Sequence, residues 1–252
     1  EQMYSFTDEI NDSIFCIYTG FGQLSSVTTF PNPINAEHII PQSYYGSVSP
    51  MRSDIHNLRP SHQSPNSARG NLPFAEADDN LSNWYGIDGS GNYFSTSTQP
   101  SEDPGFSERI STSWEPREDR KGDVARQAFY FFTMYPHAAG DITVIGSISD
   151  LLNWHLNDPV DAIELERNNR IEQVQGNRNP YIDDPLLAFR AWDYSQFVGC
   201  TYDEATNYNP MATEDDGSCF YETTCPTDLN GDGVIGTADL LNLLEGFGTT
   251  CP

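Results

Sequence analysis

Apolar positions along this chain are arranged in helical stretches separated by irregular polar ones. Tyr4 to Ile17 reads as an opening helix closed by Gly20 and Gly22. Residues 75–118 are poor in periodic apolar pattern and rich in Gly, Ser, Asn and Pro, which predicts long loops. Residues 122–135, 147–156 and 159–174 read as helices, the last with Asp158 as N-cap and Pro159 at its first position. No run of eighteen apolar residues occurs, so no membrane span is expected. At about residue 194 the composition shifts to short, acidic, glycine-rich segments. The pattern predicts an α+β core over residues 1–193 with more helix than strand, a small acidic module over 194–222, and a last unit over 223–252.

Charge changes the picture in one respect. The formal net charge is −25, and all 12 Lys and Arg residues lie between Arg52 and Arg190. Residues 194–252 carry ten acids and no base, leaving the first 193 residues near −15. An arginine-lined groove on an acidic body fits this distribution, and so does plain solubility in a saline habitat. Five cysteines suggest an oxidising compartment. A chain that starts at Glu1 rather than Met reads as a processed, secreted protein.

The candidate chemistry lies in residues 35–71. Glu37 and His38 are adjacent, so on an extended segment their side chains point to opposite sides. One can then hold a metal while the other faces a water. Glu37 offers a hard carboxylate oxygen and Asn66 a neutral carbonyl oxygen, a set that suits Mg²⁺ better than Zn²⁺. A neutral His38 imidazole can take a proton from an attacking water. Taken singly, the pieces have ordinary explanations. A Glu-His pair is usually surface, Asn66 after Pro65 is a turn residue or N-cap, and Arg52, Arg59 and Arg69 are solvated charges.

Together these residues resemble the endonuclease I family of secreted or periplasmic nucleases, in the His-Me finger (ββα-metal) class. The resemblance rests on Ala36-Glu37-His38-Ile39-Ile40-Pro41, Asp54-Ile55-His56-Asn57-Leu58-Arg59-Pro60 and Pro65-Asn66-Ser67-Ala68-Arg69-Gly70-Asn71. It continues through Lys121-Gly122-Asp123-Val124-Ala125-Arg126, Leu151-Leu152-Asn153-Trp154-His155 and Gln175-Gly176-Asn177-Arg178-Asn179-Pro180, over roughly residues 1–193. It implies a hairpin bearing the base, with a second strand around Asp54–Leu58, and a following helix bearing the Asn. It implies His38 as general base, Glu37 and Asn66 as Mg²⁺ ligands, and products with 5′-phosphate and 3′-hydroxyl ends. Its substrate would be DNA, with RNA as a second candidate, cut largely without sequence preference. Ala36 stands where the family often has arginine, and the gap from Pro41 to Met51 is too short for the phosphate-binding insertion of some members. The phosphate role therefore falls to Arg52, Arg59 and Arg69, the last two favoured as closest to the matched motif. His56 is expected to support the site from beneath, and His62, His137 and His155 to be structural. The reading from another class is a catalytically silent surface or matrix protein on the same fold.

The tail carries two further resemblances. Gly199-Cys200-Thr201 through Asp215-Asp216-Gly217-Ser218-Cys219 resembles short modules of secreted bacterial proteins, too small for a core of their own, with Cys200–Cys219 as the natural staple. Asp228-Leu229-Asn230-Gly231-Asp232-Gly233-Val234 through Asp239 fits a calcium loop: oxygens from Asp228, Asn230 and Asp232, the Val234 carbonyl, and Asp239 at position twelve. It resembles one dockerin-type repeat where a complete dockerin has two, and a helix is expected over 238–247. Cys225 and Cys251 would clip its ends, leaving Cys16 as a buried thiol on the first helix. Such modules imply Ca²⁺ binding and attachment to a surface or partner protein.

Overall fold

The computed structural model describes residues 3–27, 32–101, 105–221 and 227–248. The chain divides into two compact units, residues 1–193 and 194–252. Helix and strand make up 38% and 16%, an α+β mixture weighted to helix. Among the described residues no helix is long and apolar enough to cross a membrane.

The first unit opens with a turn and a hairpin in place of the expected helix. A single wide helical turn, Met3–Thr7, is followed by β1 (Ser13–Phe15) paired antiparallel with β2 (Gly22–Leu24). Asn11 and Asp12 take φ of 50° and 60°, a left-handed pair that reverses the chain where a helix would have to continue. Cys16 is buried and free as expected, but it follows a strand.

The segment that matters most is a hairpin and a helix. β3 (Ile34–His38) pairs antiparallel with β4 (Leu58–His62), with Glu37 opposite Arg59 and His38 opposite Leu58. The second strand thus begins where the sequence placed its end. Asp54 instead caps a 3₁₀ turn, Ile55–Asn57, accepting from the His56 backbone N–H. β4 runs straight into α1 (Gln63–Arg69), whose N-cap is His62, its Nδ1 accepting from Ser64 N at 3.1 Å.

Residues 75–118, expected as loops, contain a four-stranded antiparallel sheet. Its strands are β5 (Asn83–Ile87), β6 (Tyr93–Thr96), β7 (Ser107–Arg109) and β8 (Trp114–Glu115), in the order β6-β5-β7-β8. β5 does alternate, burying Trp84 and Gly86 between more exposed neighbours, but over five residues only. So short a period does not stand out from loop composition.

The core centres on α2 (Lys121–Met134), in which all but the last two residues are buried. Its apolar side chains, among them Phe129 and Phe131, pack against neighbours, and its polar ones are matched by partners: Asp123 by Arg59 at 2.6 Å, Arg126 by Glu164 at 2.6 Å. α3 (Ile148–Asn157) packs against it. α4 (Ala162–Gln175) starts three residues later than expected, capped by Asp161, which accepts from Glu164 N at 2.7 Å. Asp158 is occupied elsewhere: its Oδ2 accepts from Gly122 N at 2.8 Å. A Cβ on Gly122 would lie 2.0 Å from the Asp158 carbonyl oxygen, so only glycine allows that approach. α5 (Pro180–Asp183) and α6 (Leu186–Trp192) complete the unit.

In the second unit Cys200 and Cys219 are bonded, as expected. β9 (Val198–Gly199) and β10 (Glu214–Asp215) pair in parallel beside that bridge. Residues 227–236 curl around Asp228, whose carboxylate accepts from the backbone N–H groups of Gly231, Asp232 and Gly233. Gly231 and Gly233 sit at φ 73° and 82°, the left-handed turns such a curl needs. α7 (Thr237–Glu245) follows, with Leu240, Leu241, Leu243 and Leu244 exposed. The expected Cys225–Cys251 pairing lies outside the described residues.

Candidate active site

β3 turns Glu37 inward and His38 toward a cleft of about 250 Å³. The inward position is built from distant segments. Glu37 Oε1 accepts from the Tyr18 hydroxyl at 2.7 Å and from Arg69 Nη1 at 2.9 Å. Arg69 is buried over the Phe74 ring and also donates to the carbonyls of His38 and Ile39. Burial pushes the Glu37 carboxyl up, while Arg69 and the Tyr18 hydrogen bond pull it down. Both partners donate to the carboxylate, so the ionised pair is the form this geometry serves. The same burial, with Glu37 beside it, drives the Tyr18 hydroxyl well above its ordinary value.

Both sides of the His38 ring are held. Nε2 lies 2.9 Å from the Arg52 carbonyl oxygen. A carbonyl only accepts, so Nε2 carries the proton and Nδ1 the lone pair. Gln42 Nε2 donates to that lone pair at 3.3 Å. Partial burial lowers the imidazole's affinity for a second proton, which keeps the ring neutral. The backbone group that orients the ring comes from the loop before the second strand, not from the strand itself.

Asn66 stands on α1 across the cleft. Its Nδ2 donates to Asn35 Oδ1 at 2.7 Å and to the Ala36 carbonyl at 3.2 Å. This fixes the amide and leaves Oδ1 unused by those partners. Glu37, His38, Gln42 and Asn66 all line the cleft. Tyr18 and Arg69 share Oε1 of Glu37, so neither side chain engages Oε2. The site can thus offer one carboxylate and one amide oxygen, with room for water. Among the described residues no three His, Cys, Asp or Glu side chains converge as they would for zinc. This donor set fits Mg²⁺, which keeps most of its waters and takes one or two protein oxygens.

The three arginines considered for phosphate separate clearly. Arg59 and Arg69, the favoured pair, are buried: Arg59 donates to Asp123 and Gln127 on α2, and Arg69 to Glu37. Their guanidiniums build the site and are not presented to a substrate. Arg52 is exposed next to His38. A larger cleft, about 470 Å³, lies against Asp8, Arg59, Asp123 and Arg167, but these charges pair with one another. Sequence reasoning assigned no role to Gln42, Tyr18 or Asn35. Gln42 has a faint signal, four residues after His38; the other two come into place only through folding.

His62, His155 and His56 serve structure, and His137 is exposed. His62 caps α1 and stacks on Tyr93, and His155 Nε2 donates to the Pro185 carbonyl at 2.9 Å. His56 is 1% exposed, donates to the Asn177 carbonyl at 3.2 Å and packs on Tyr130. Burial lowers its pKa to about 4, with Arg167 and Arg59 acting the same way and Asp54 opposing. A folded-state pKa below the unfolded value means stability fully present above about 6.5 and lost as pH falls toward 4. Between pH 7 and 5 this group alone should remove about 2 kcal/mol. Urea unfolding of wild type and His56→Gln at both pH values measures it. The variant should lose less stability over that interval, and an equal loss would show that His56 does not titrate on unfolding.

A family model described as Endonuclease I matches residues 2–186. The extracellular ribonuclease of Bacillus amyloliquefaciens is 37% identical over 174 residues, covering 63% of this chain and 53% of that protein. The extracellular ribonuclease of Bacillus subtilis (strain 168) is 38% identical over 174 residues, covering 63% and 54%. The chain therefore spans about half the length of the curated relatives it matches.

Proposed function

Since the chain belongs to the endonuclease I family, we propose that it is a secreted, Mg²⁺-dependent nuclease of the ββα-metal class, hydrolysing phosphodiester bonds largely without sequence preference. The observation that carries this is the convergence on one cleft of a neutral imidazole with a directed lone pair, His38, and two oxygen donors, Glu37 and Asn66. The names of the two relatives point to RNA, and we extend that substrate to this chain beside DNA.

His38 Nδ1 accepts the proton of the attacking water, taking the place that the Gln42 amide holds at rest. The Arg52 carbonyl keeps the ring in the required tautomer. Glu37 and Asn66 would hold Mg²⁺, which when bound stabilises the charge on the phosphate and the leaving oxygen. Arg52 is the exposed cation next to His38 and takes the phosphate role. The products would end in 5′-phosphate and 3′-hydroxyl. The test is cleavage of RNA and of DNA with Mg²⁺, with EDTA, and with Mg²⁺ restored. Cleavage that survives EDTA would exclude the metal, and absence of cleavage under all three conditions would favour a silent surface protein.

For the tail we propose a dockerin-like calcium repeat, with Asp228, Asn230, Asp232, the Val234 carbonyl and Asp239 as ligands, serving attachment to a surface or partner. Its helix exposes all four of its leucines, so it has little core to fold on without an ion. EGTA in excess Mg²⁺ should raise amide exchange over residues 227–248 and leave nuclease activity unchanged. Unaltered exchange there would remove the calcium assignment.

A further inference from the structure

Ten of the twelve Lys and Arg residues have a carboxylate partner within 4.0 Å. Among the described residues only Arg52 and Arg109 have none. In a chain with 37 acids this is a small set, and each member is tied to an element that lines the cleft of Glu37, His38 and Asn66. The Arg52 carbonyl holds His38. Arg109 donates through Nε to the Ala68 carbonyl on α1, two residues beyond Asn66, at 2.8 Å. Its two terminal nitrogens make no hydrogen bond among the described residues.

Arg109 has company on its face of the sheet. β5 pairs Ile87 with Tyr93, Tyr85 with Ser107 and Asn83 with Arg109. Paired residues share a face, so Tyr93, Tyr85 and Arg109 lie on one side. That side meets α1 at both ends. Tyr93 lies flat on His62, the N-cap, with ring centroids 4.2 Å apart and planes 10° from parallel, and Arg109 reaches Ala68 near the other end. β6, which carries Tyr93, is the edge strand of this sheet among the described residues. Tyr93 is half-buried, and its hydroxyl makes no hydrogen bond among the described residues. His62 is paired with Ile34, four strand positions from His38 and on the same face, so this ring pair stands about 13 Å from His38 along the hairpin. That is a few nucleotides along a strand.

Resting on the nuclease reading above, we infer that Arg109 and Tyr93 form a substrate subsite for single-stranded nucleic acid, with Arg109 taking a backbone phosphate and Tyr93 stacking a base. An unpaired guanidinium is a phosphate ligand, and a partly accessible aromatic ring braced on one face is a platform for unpaired bases. Duplex bases are already stacked on one another and have no face to offer it. The subsite therefore makes this a single-strand-preferring enzyme that grips its substrate beyond the cleft.

Binding is measured by fluorescence anisotropy with His38→Ala protein in Mg²⁺, so that cleavage does not intervene. The probes are a labelled single-stranded oligonucleotide and its duplex. Arg109→Gln should weaken single-strand binding about tenfold and lower the slope of log affinity against log salt by about 0.7. Tyr93→Leu should weaken it about tenfold with the slope unchanged, and Tyr93→Phe should bind like the parent. Duplex binding should not respond to Tyr93→Leu. In active enzyme both weakening variants should raise KM for an oligonucleotide with kcat held. For a dinucleotide, too short to reach Tyr93, Tyr93→Leu should change nothing. Parental affinity in both Arg109→Gln and Tyr93→Leu, no binding by the parent itself, or equal loss on duplex and single strand would overturn the inference. If the binding pattern holds but wild type cleaves nothing, the nuclease reading fails and the subsite stands.

Discussion

His38→Ala should lower the rate of phosphodiester cleavage by about two to four orders of magnitude, the scale of general acid–base catalysis. His38 contributes little to the core. It is half-buried, and its partners are the Arg52 carbonyl and the Gln42 amide, both near the surface. The loss should therefore fall on kcat, with thermal unfolding and substrate binding close to wild type. Gln42→Ala gives a graded control, because it removes the resting partner of Nδ1 without removing the base. Cleavage by His38→Ala within a factor of a few of wild type would sink the assignment and move the search for a base elsewhere in the cleft.

Glu37→Ala should be costly in a second way, through the fold. The Arg69 and Glu37 side chains are 0% and 4% exposed and 2.9 Å apart. Removing the carboxylate leaves a guanidinium charge buried against Phe74 with only carbonyl partners. Breaking a buried pair from one side costs about 3–5 kcal/mol. Domains of this size have about 5–15 kcal/mol in total, so the variant should unfold at far lower urea. The double change Glu37→Leu with Arg69→Met replaces the charges by apolar volume and should recover much of the stability with none of the activity. Glu37→Ala as stable as wild type would mean that the pair is not needed by the core. A double variant that cleaves would mean that Glu37 is not needed by the chemistry.

These expectations show why the site was legible and its surroundings were not. Glu37, His38 and Asn66 lie within thirty residues, on a hairpin and the helix that follows without a break. Neighbours in sequence remain neighbours in space on so short a motif, and adjacent residues on a strand must face opposite ways. The residues that hold the three in place come from farther off. Tyr18 is nineteen residues before Glu37, and Asp123 and Gln127, which hold Arg59, are more than sixty beyond it. No local pattern encodes those meetings.

The elements divide along the same line. The long helices were visible because a 3.6-residue period repeats several times over ten or more residues. The four-stranded sheet was not, because its strands hold two to five residues each. Asp158 had the chemistry of an N-cap, and the fold used it to bind Gly122 across the core while Asp161 capped the helix.

By itself the sequence determined which groups share one cleft: the imidazole of His38, the carboxylate of Glu37 and the amide of Asn66, spaced so that one hairpin and one helix bring the three together. Only the tertiary structure decided what each arginine does. Arg59 and Arg69 turn inward because each finds a buried carboxylate, Asp123 and Glu37, and a charge removed from water must have such a partner. Arg52 and Arg109 have no carboxylate within reach among the described residues. Spacing chooses which side chains lie close along the chain; burial and the location of distant opposite charges choose which of them face the solvent, and those contacts form only when the whole domain closes.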